Sequence, residues 1–169
     1  MSLPEGTHTI GPSNGSLKVK TGREGAAAKA GHDLVLGVNS WEATVEGGDS
    51  PSITLTADPA SMEVIEGSGG AKPLTDKDKE EIKKSITDKV LGSDDISFQS
   101  SEVTDSSCKG ELSIAGSSSS VEVPLDVSGD KISGSVTLSQ NEFGIKQFKA
   151  LMGALKVADE VTVEFEGTL

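Results

Sequence analysis

The sequence predicts a mainly β, antiparallel protein with one principal helix. Three observations predict it. Strictly alternating apolar and polar residues recur in short runs, and a period of two puts all the apolar side chains of a run on one strand face. One stretch, Thr75 to Leu91, has helical spacing instead. No βαβ rhythm separates the runs, so a parallel sheet is excluded.

The clearest run is Ser119 to Ser139. Val121, Val123, Leu125 and Val127 alternate with Glu122, Pro124, Asp126 and Ser128. Gly129-Asp130 then turns the chain, and Ile132, Gly134, Val136 and Leu138 alternate with polar residues. Glycine accepts positive φ without steric cost, so this is a hairpin with one apolar face.

Before it, Thr7 to Ile10 reads as a first strand and Leu17 to Thr21 as a second. Gly25 to Ala30 suits a helical turn, which Gly31 ends. Strands follow at His32 to Val38, Trp41 to Glu46, Ile53 to Ala57 and Met62 to Ile65. Thr75 can cap the helix, with Asp78 where a capping-box acid sits. Ile82, Ile86 and Val90 form a narrow apolar stripe, so the helix lies on a surface. Gly92 stops it. Ile96 to Ser100 and Cys108 to Ile114 are further strands, a short helix is expected from Gln147, and Val161 to Glu166 is the final strand. Periodicity leaves barrel and sandwich equally open.

The chain has 169 residues, enough for one domain, expected to span 1–169 with residues 1–6 as a disordered or cloning-derived tail. Its net charge of -12 repels phosphate backbones and anionic bilayers, which argues against nucleic acid as a partner. No run approaches a membrane span, so stable membrane insertion is not expected. No leader is visible, which suggests a cytoplasmic protein, with export open if a leader has been removed. Cys108 is the only cysteine, and its alternation with Gly110, Leu112 and Ile114 predicts a buried, inert thiol.

Catalytic motifs find ordinary explanations. Gly11-Pro12-Ser13-Asn14-Gly15 matches a hydrolase nucleophile pattern, but a strand follows where that elbow needs a helix. Asn14-Gly15-Ser16 is a glycosylation sequon best explained by chance. Asp76, Asp78 and Glu80 lack the glycine of a calcium loop and read as helix charge. His8 and His32 have no acidic cluster at zinc-ligand spacing, so no metal is expected. No enzyme is signalled.

The chain resembles the YceI-like family across nearly all of it after Gly6. The resemblance rests on Gly31-His32-Asp33-Leu34, Trp41, Pro73-Leu74-Thr75-Asp76 with Asp78, and Ile96-Ser97-Phe98-Gln99-Ser100. It continues through Gly110 to Gly116, Phe143-Gly144-Ile145 and Gly153 to Val161, in the family's order. It departs at Ser117 to Ser120, where the family usually has a threonine and a basic residue.

The resemblance implies a lipocalin-like antiparallel β-barrel of about eight strands, holding a long isoprenoid or fatty-acyl lipid and no other cofactor. Wall positions follow from inward alternation at Leu34, Leu36, Ile53, Leu55, Phe98, Leu112 and Ile114. Phe143 joins them from the family-like Phe-Gly-Ile turn. The expected partner is an apolar small molecule that the protein binds, carries or sequesters, and a homodimer is left open. Two other readings stand: an enzyme on a lipid-like substrate using His32 or a loop acid, and a solid-cored interaction module.

Overall fold

The computed structural model describes residues 3–70, 72–150 and 155–169. Its strands, in chain order, are β1 (Gly6–Ile10), β2 (Gly15–Glu24), β3 (Asp33–Val38), β4 (Trp41–Gly47), β5 (Ser52–Ala57) and β6 (Met62–Ser68). After the helix come β7 (Ile96–Val103), β8 (Ser107–Ile114), β9 (Ser117–Ser128), β10 (Lys131–Ser139), the two-residue β11 (Lys149–Ala150) and β12 (Leu155–Thr168).

Every ladder is antiparallel. β1 pairs with β4 and β2 with β3, while β4 pairs with β5 and β3 with β6. From β5 the ladders run through β7, β8, β9 and β10 to β12, which returns to β2. β3–β4 is one bent length of chain and β5–β6 another. Asn39 N–H donates to the Ser61 carbonyl and Asp58 N–H to that of Ser40, so these lengths stay paired across their bends. β1–β2 is likewise one length, interrupted at Pro12 to Asn14, where Asn14 Oδ1 accepts from Gly11 N–H at 2.8 Å. Counted as lengths of chain, the strands form an eight-membered meander closed into a barrel, plus β11. The strand count exceeds the expected eight because three lengths bend. The outer edges of β1 and β6 overhang without a strand neighbour among the described residues.

Turn chemistry matches geometry. Gly129 has φ 63° between the paired Ser128 and Lys131, as a type II′ turn needs at its first central position. Ala115 (φ 52°) and Gly116 (φ 79°) both take positive φ between Ile114 and Ser117, the pattern of a type I′ turn.

One ladder stops early. β9 and β10 pair only from Ser128/Lys131 to Leu125/Gly134, although β9 begins at Ser117 and β10 runs on to Ser139. Leu125 N–H donates to Ser106 on the β8 side. Backbone donors alternate sides along a strand, so the nitrogen of Pro124 faces β10. Proline has no N–H to give, and the ladder ends there.

The helix α1 (Asp76–Ser85) starts at Thr75 as expected. Asp78 N–H donates to Thr75 Oγ1 at 3.1 Å and Thr75 N–H donates to Asp78 Oδ2 at 3.0 Å. The bond from the Thr75 backbone leads in holding the Asp78 carboxyl below its usual pKa. From Ile86 to Leu91 the chain continues as π-helix, so the expected single helix of 75–91 is one rod in two windings. The wider turns bring the neighbours Val90 and Leu91 together over the barrel interior.

Three expectations are corrected. Within the expected tail, Leu3 packs in the core and β1 already begins at Gly6, because an apolar side chain at the barrel end gains from burial; residues 1–2 lie outside the described residues. In place of a helix from Gln147, Lys149 and Ala150 form β11 against β12, whose backbone offers a free edge there. Residues 151–154, including Gly153 and Ala154 of the family-like stretch, lie outside the described residues. The final strand begins at Leu155 and not Val161, with a register shift between Val157 and Val161 that breaks the alternation.

Candidate ligand-binding cavity

Alternation sends one side chain in two to the barrel interior, and the interior is not uniform. At the end where β4 meets β1 and β9 turns into β10, Ile10, Ala43, Val45, Val127 and Ile132 are almost wholly buried. Trp41 is buried against the Phe165 ring, edge to face, with centroids 5.9 Å apart. Glycines allow this close fit. A Cβ at Gly15 would lie 2.7 Å from Ile10 Cγ2, and one at Gly167 2.5 Å from the same atom. This end is a packed floor.

Toward the other end the side chains are of the same type but only half-buried. Leu34, Leu55, Phe98, Leu112, Ile114, Val121 and Val123 face a cavity of about 680 Å³. Its lid is α1 with the π-turn, which contribute Ile82, Ile86, Val90 and Leu91. Phe143, 2% exposed, closes the corner beside Leu138. Its backbone is fixed by a 3₁₀ turn over Gln140–Phe143, ended by Gly144 in the left-handed region (φ 70°).

All eight wall positions expected from the sequence, Leu34, Leu36, Ile53, Leu55, Phe98, Leu112, Ile114 and Phe143, line this cavity. Sequence reasoning missed others that carry the same signal. Val121, Val123, Leu125, Val136, Val161, Val163 and Phe165 alternate as cleanly and also line it. Ile82, Ile86 and Val90 of the lid form the apolar stripe read from the sequence, on a helix expected to lie on a surface and long enough to cross one end of a barrel.

Polar groups collect at the lidded mouth: Asp78, Glu81, Ser85, Gln140 and His32. His32 Nε2 lies 2.6 Å from the Lys72 carbonyl oxygen, and the Gln140 amide donates to the Ala158 carbonyl at 3.0 Å. These partners tie mouth residues to the backbone. Cys108 lines the cavity near the floor, 2% exposed, and burial pushes its thiol up to about 11. Thiolate chemistry at neutral pH is thereby suppressed. His8 lies apart, with Nε2 3.1 Å from the Pro4 carbonyl oxygen. Among the described residues no cluster of three metal-ligating side chains forms, and no helix is long and apolar enough to cross a membrane. Chemically, the site offers an apolar interior with hydrogen-bonding groups at one end.

The model of the YceI-like domain family matches residues 9–169. No curated protein matches the chain in sequence comparison. Among solved structures the fold is similar to that of BcnA from Burkholderia cenocepacia, with a TM-score of 0.63 at 17% identity, covering 90% of this chain and 94% of that one. It is also similar to two mutants of the CJ YceI protein crystallised for nanotechnology applications. One gives a TM-score of 0.53 at 12% identity and the other 0.54 at 11%, each covering 79% of this chain and 82% of that one. At these identities the likeness is one of fold.

Proposed function

The chain belongs to the YceI-like family, and from that premise we propose that it binds, carries or sequesters a long apolar or amphiphilic molecule, an isoprenoid or a fatty-acyl lipid, inside the barrel. One observation carries this reading: apolar side chains that alternate inward stop short of filling the interior and leave about 680 Å³ between them. Protein interiors are normally packed like organic crystals, so a void of this size is unusual. At about 30 Å³ per water-sized group it holds roughly twenty carbons. Burial contributes about 0.8 kcal/mol per CH₂, near 16 kcal/mol in all. Association and ordering oppose this by about 4–15 kcal/mol. The balance favours longer chains, and little of it depends on salt.

In this reading the protein acts as a binder: the chamber is apolar, and His32, Gln140 and Asp78 at its mouth are held by backbone partners. Organic extraction of the purified protein followed by mass spectrometry identifies a retained lipid. Titration with isoprenoid alcohols of increasing length then tests the cavity. Affinity is expected to rise with length until the cavity is full. Equal, negligible binding at every length would overturn the reading.

A further inference from the structure

The early end of the β9–β10 ladder leaves a seam in the barrel wall, beside the chamber and running from above the floor toward the lidded end. Were the register continued, Glu122 would face Thr137 and Ser120 would face Ser139, yet none of these pairs forms. The inner lips of the seam are Val121 and Val123 on one side and Val136 and Leu138 on the other, all lining the cavity. The outer lips are polar: Ser118, Ser120, Glu122, Ser135 and Thr137 are exposed. At its foot stand Pro124 and Gly134, on a second concavity of about 510 Å³ in the outer surface. That concavity also touches Leu125 and Phe165, which line the inner cavity as well. So the same two residues are reached from inside and from outside the barrel.

We propose that this seam is a side portal, through which an apolar chain enters and leaves the chamber. The inference rests on the chain-binding reading above and adds its route. Three features suit the role. Widening the seam separates no β9–β10 residue pair beyond Leu125/Gly134, because none forms there. An apolar chain passing through meets valine and leucine on the inner side, while the outer hydroxyls keep the unpaired backbone groups hydrated. Phe143 and Ile145, packed with Val121 and Val136, fill the upper end of the seam from the inside, so an entering chain has a side chain to displace and not a strand.

The test is a staple. Glu122→Cys with Thr137→Cys places two thiols across the seam; a disulfide or a short bis-maleimide joins them. Thr137→Cys with Thr162→Cys is the control, since these residues pair across an intact ladder with hydroxyls 3.2 Å apart. Buried Cys108 does not compete. Retinol, a fluorescent isoprenoid alcohol, is mixed with each protein by stopped flow. The seam staple is expected to slow both association and release at least tenfold, with Kd within about threefold of the parent and recovery on cleavage of the disulfide. The control staple leaves the rates unchanged. Pro124→Ala, which restores an N–H facing β10, is expected to slow exchange in the same direction. Unchanged rates in the stapled protein, with retinol still bound, would overturn the portal and leave the cavity reading standing. No retinol binding by the parent would remove the cavity reading and the portal with it.

Discussion

Ile10 and Leu55 are both aliphatic and both inward-facing, yet Ile10 has no exposed surface while Leu55 is only half-buried. The first stands in the packed floor, against backbone left bare by Gly15 and Gly167. The second stands in the chamber, with space in front of it. The difference teaches that a sheet's alternation decides where a side chain points, whereas what it touches is decided by its neighbours across the barrel. Floor and chamber share one sheet and one chemistry, and differ in whether side chains from facing walls meet.

The sharpest way to break this contrast is truncation. Ile10→Ala removes a filled contact and is expected to lose about 2–5 kcal/mol of unfolding free energy, as core truncations do. Leu55→Ala, facing empty space, is expected to lose roughly 1 kcal/mol or less because fewer contacts are forfeited. Denaturant melts of the two variants measure the gap, and equal losses would mean that the chamber is as well packed as the floor.

Cys108 probes the boundary between the two. Its thiol is raised from an ordinary 9.0 to about 11. The unfolded chain then loses its proton at lower pH than the native one, so this contribution to stability is intact below pH 9 and falls away as pH rises toward 11. Over that interval it amounts to at most about 3 kcal/mol. Chemical denaturation of the parent and of Cys108→Ala from pH 8 to 11 is expected to show a steeper decline in the parent. Parallel curves would place the thiol in contact with water.

The smallest effect is the most informative about the chamber. Leu112→Trp and Ile114→Trp add bulk where there is room, and are expected to shift stability by less than about 1 kcal/mol while weakening isoprenoid binding at least several-fold. In a packed core the same change typically costs about 1–3 kcal/mol. Thermal melting with ligand titration separates the outcomes.

Much of this was legible in the sequence, for identifiable reasons. The pleat has a period of two, so Val121, Val123 and Leu125 announced their face. Thr75 and Asp78 announced the helix start because a capping box has its own spacing. Gly129 announced a turn because few residues tolerate its φ. What was not legible depends on partners distant in sequence. Nothing local to Leu3 says that the barrel end will bury it. The bends that make β3–β4 and β5–β6 single lengths are settled by pairing across them. The first residues of β12, Leu155 to Glu160, sit before a register shift, and an irregular strand has no clean period to read. The void itself is a property of facing walls that no single strand encodes.

Closure of the ring has a kinetic consequence. Most ladders join lengths of chain that follow one another, so each can form soon after its neighbour. β2 against β12 is different: Leu17 meets Phe165 from nearly the opposite end of the chain. Until that pairing forms, the intervening strands are an open, curled sheet with its apolar face uncovered. Loop-closure entropy rises only slowly with separation, so the long span does not forbid the step, but it places it late. The last ladder made in folding is then also the one whose loss would expose the whole interior at once.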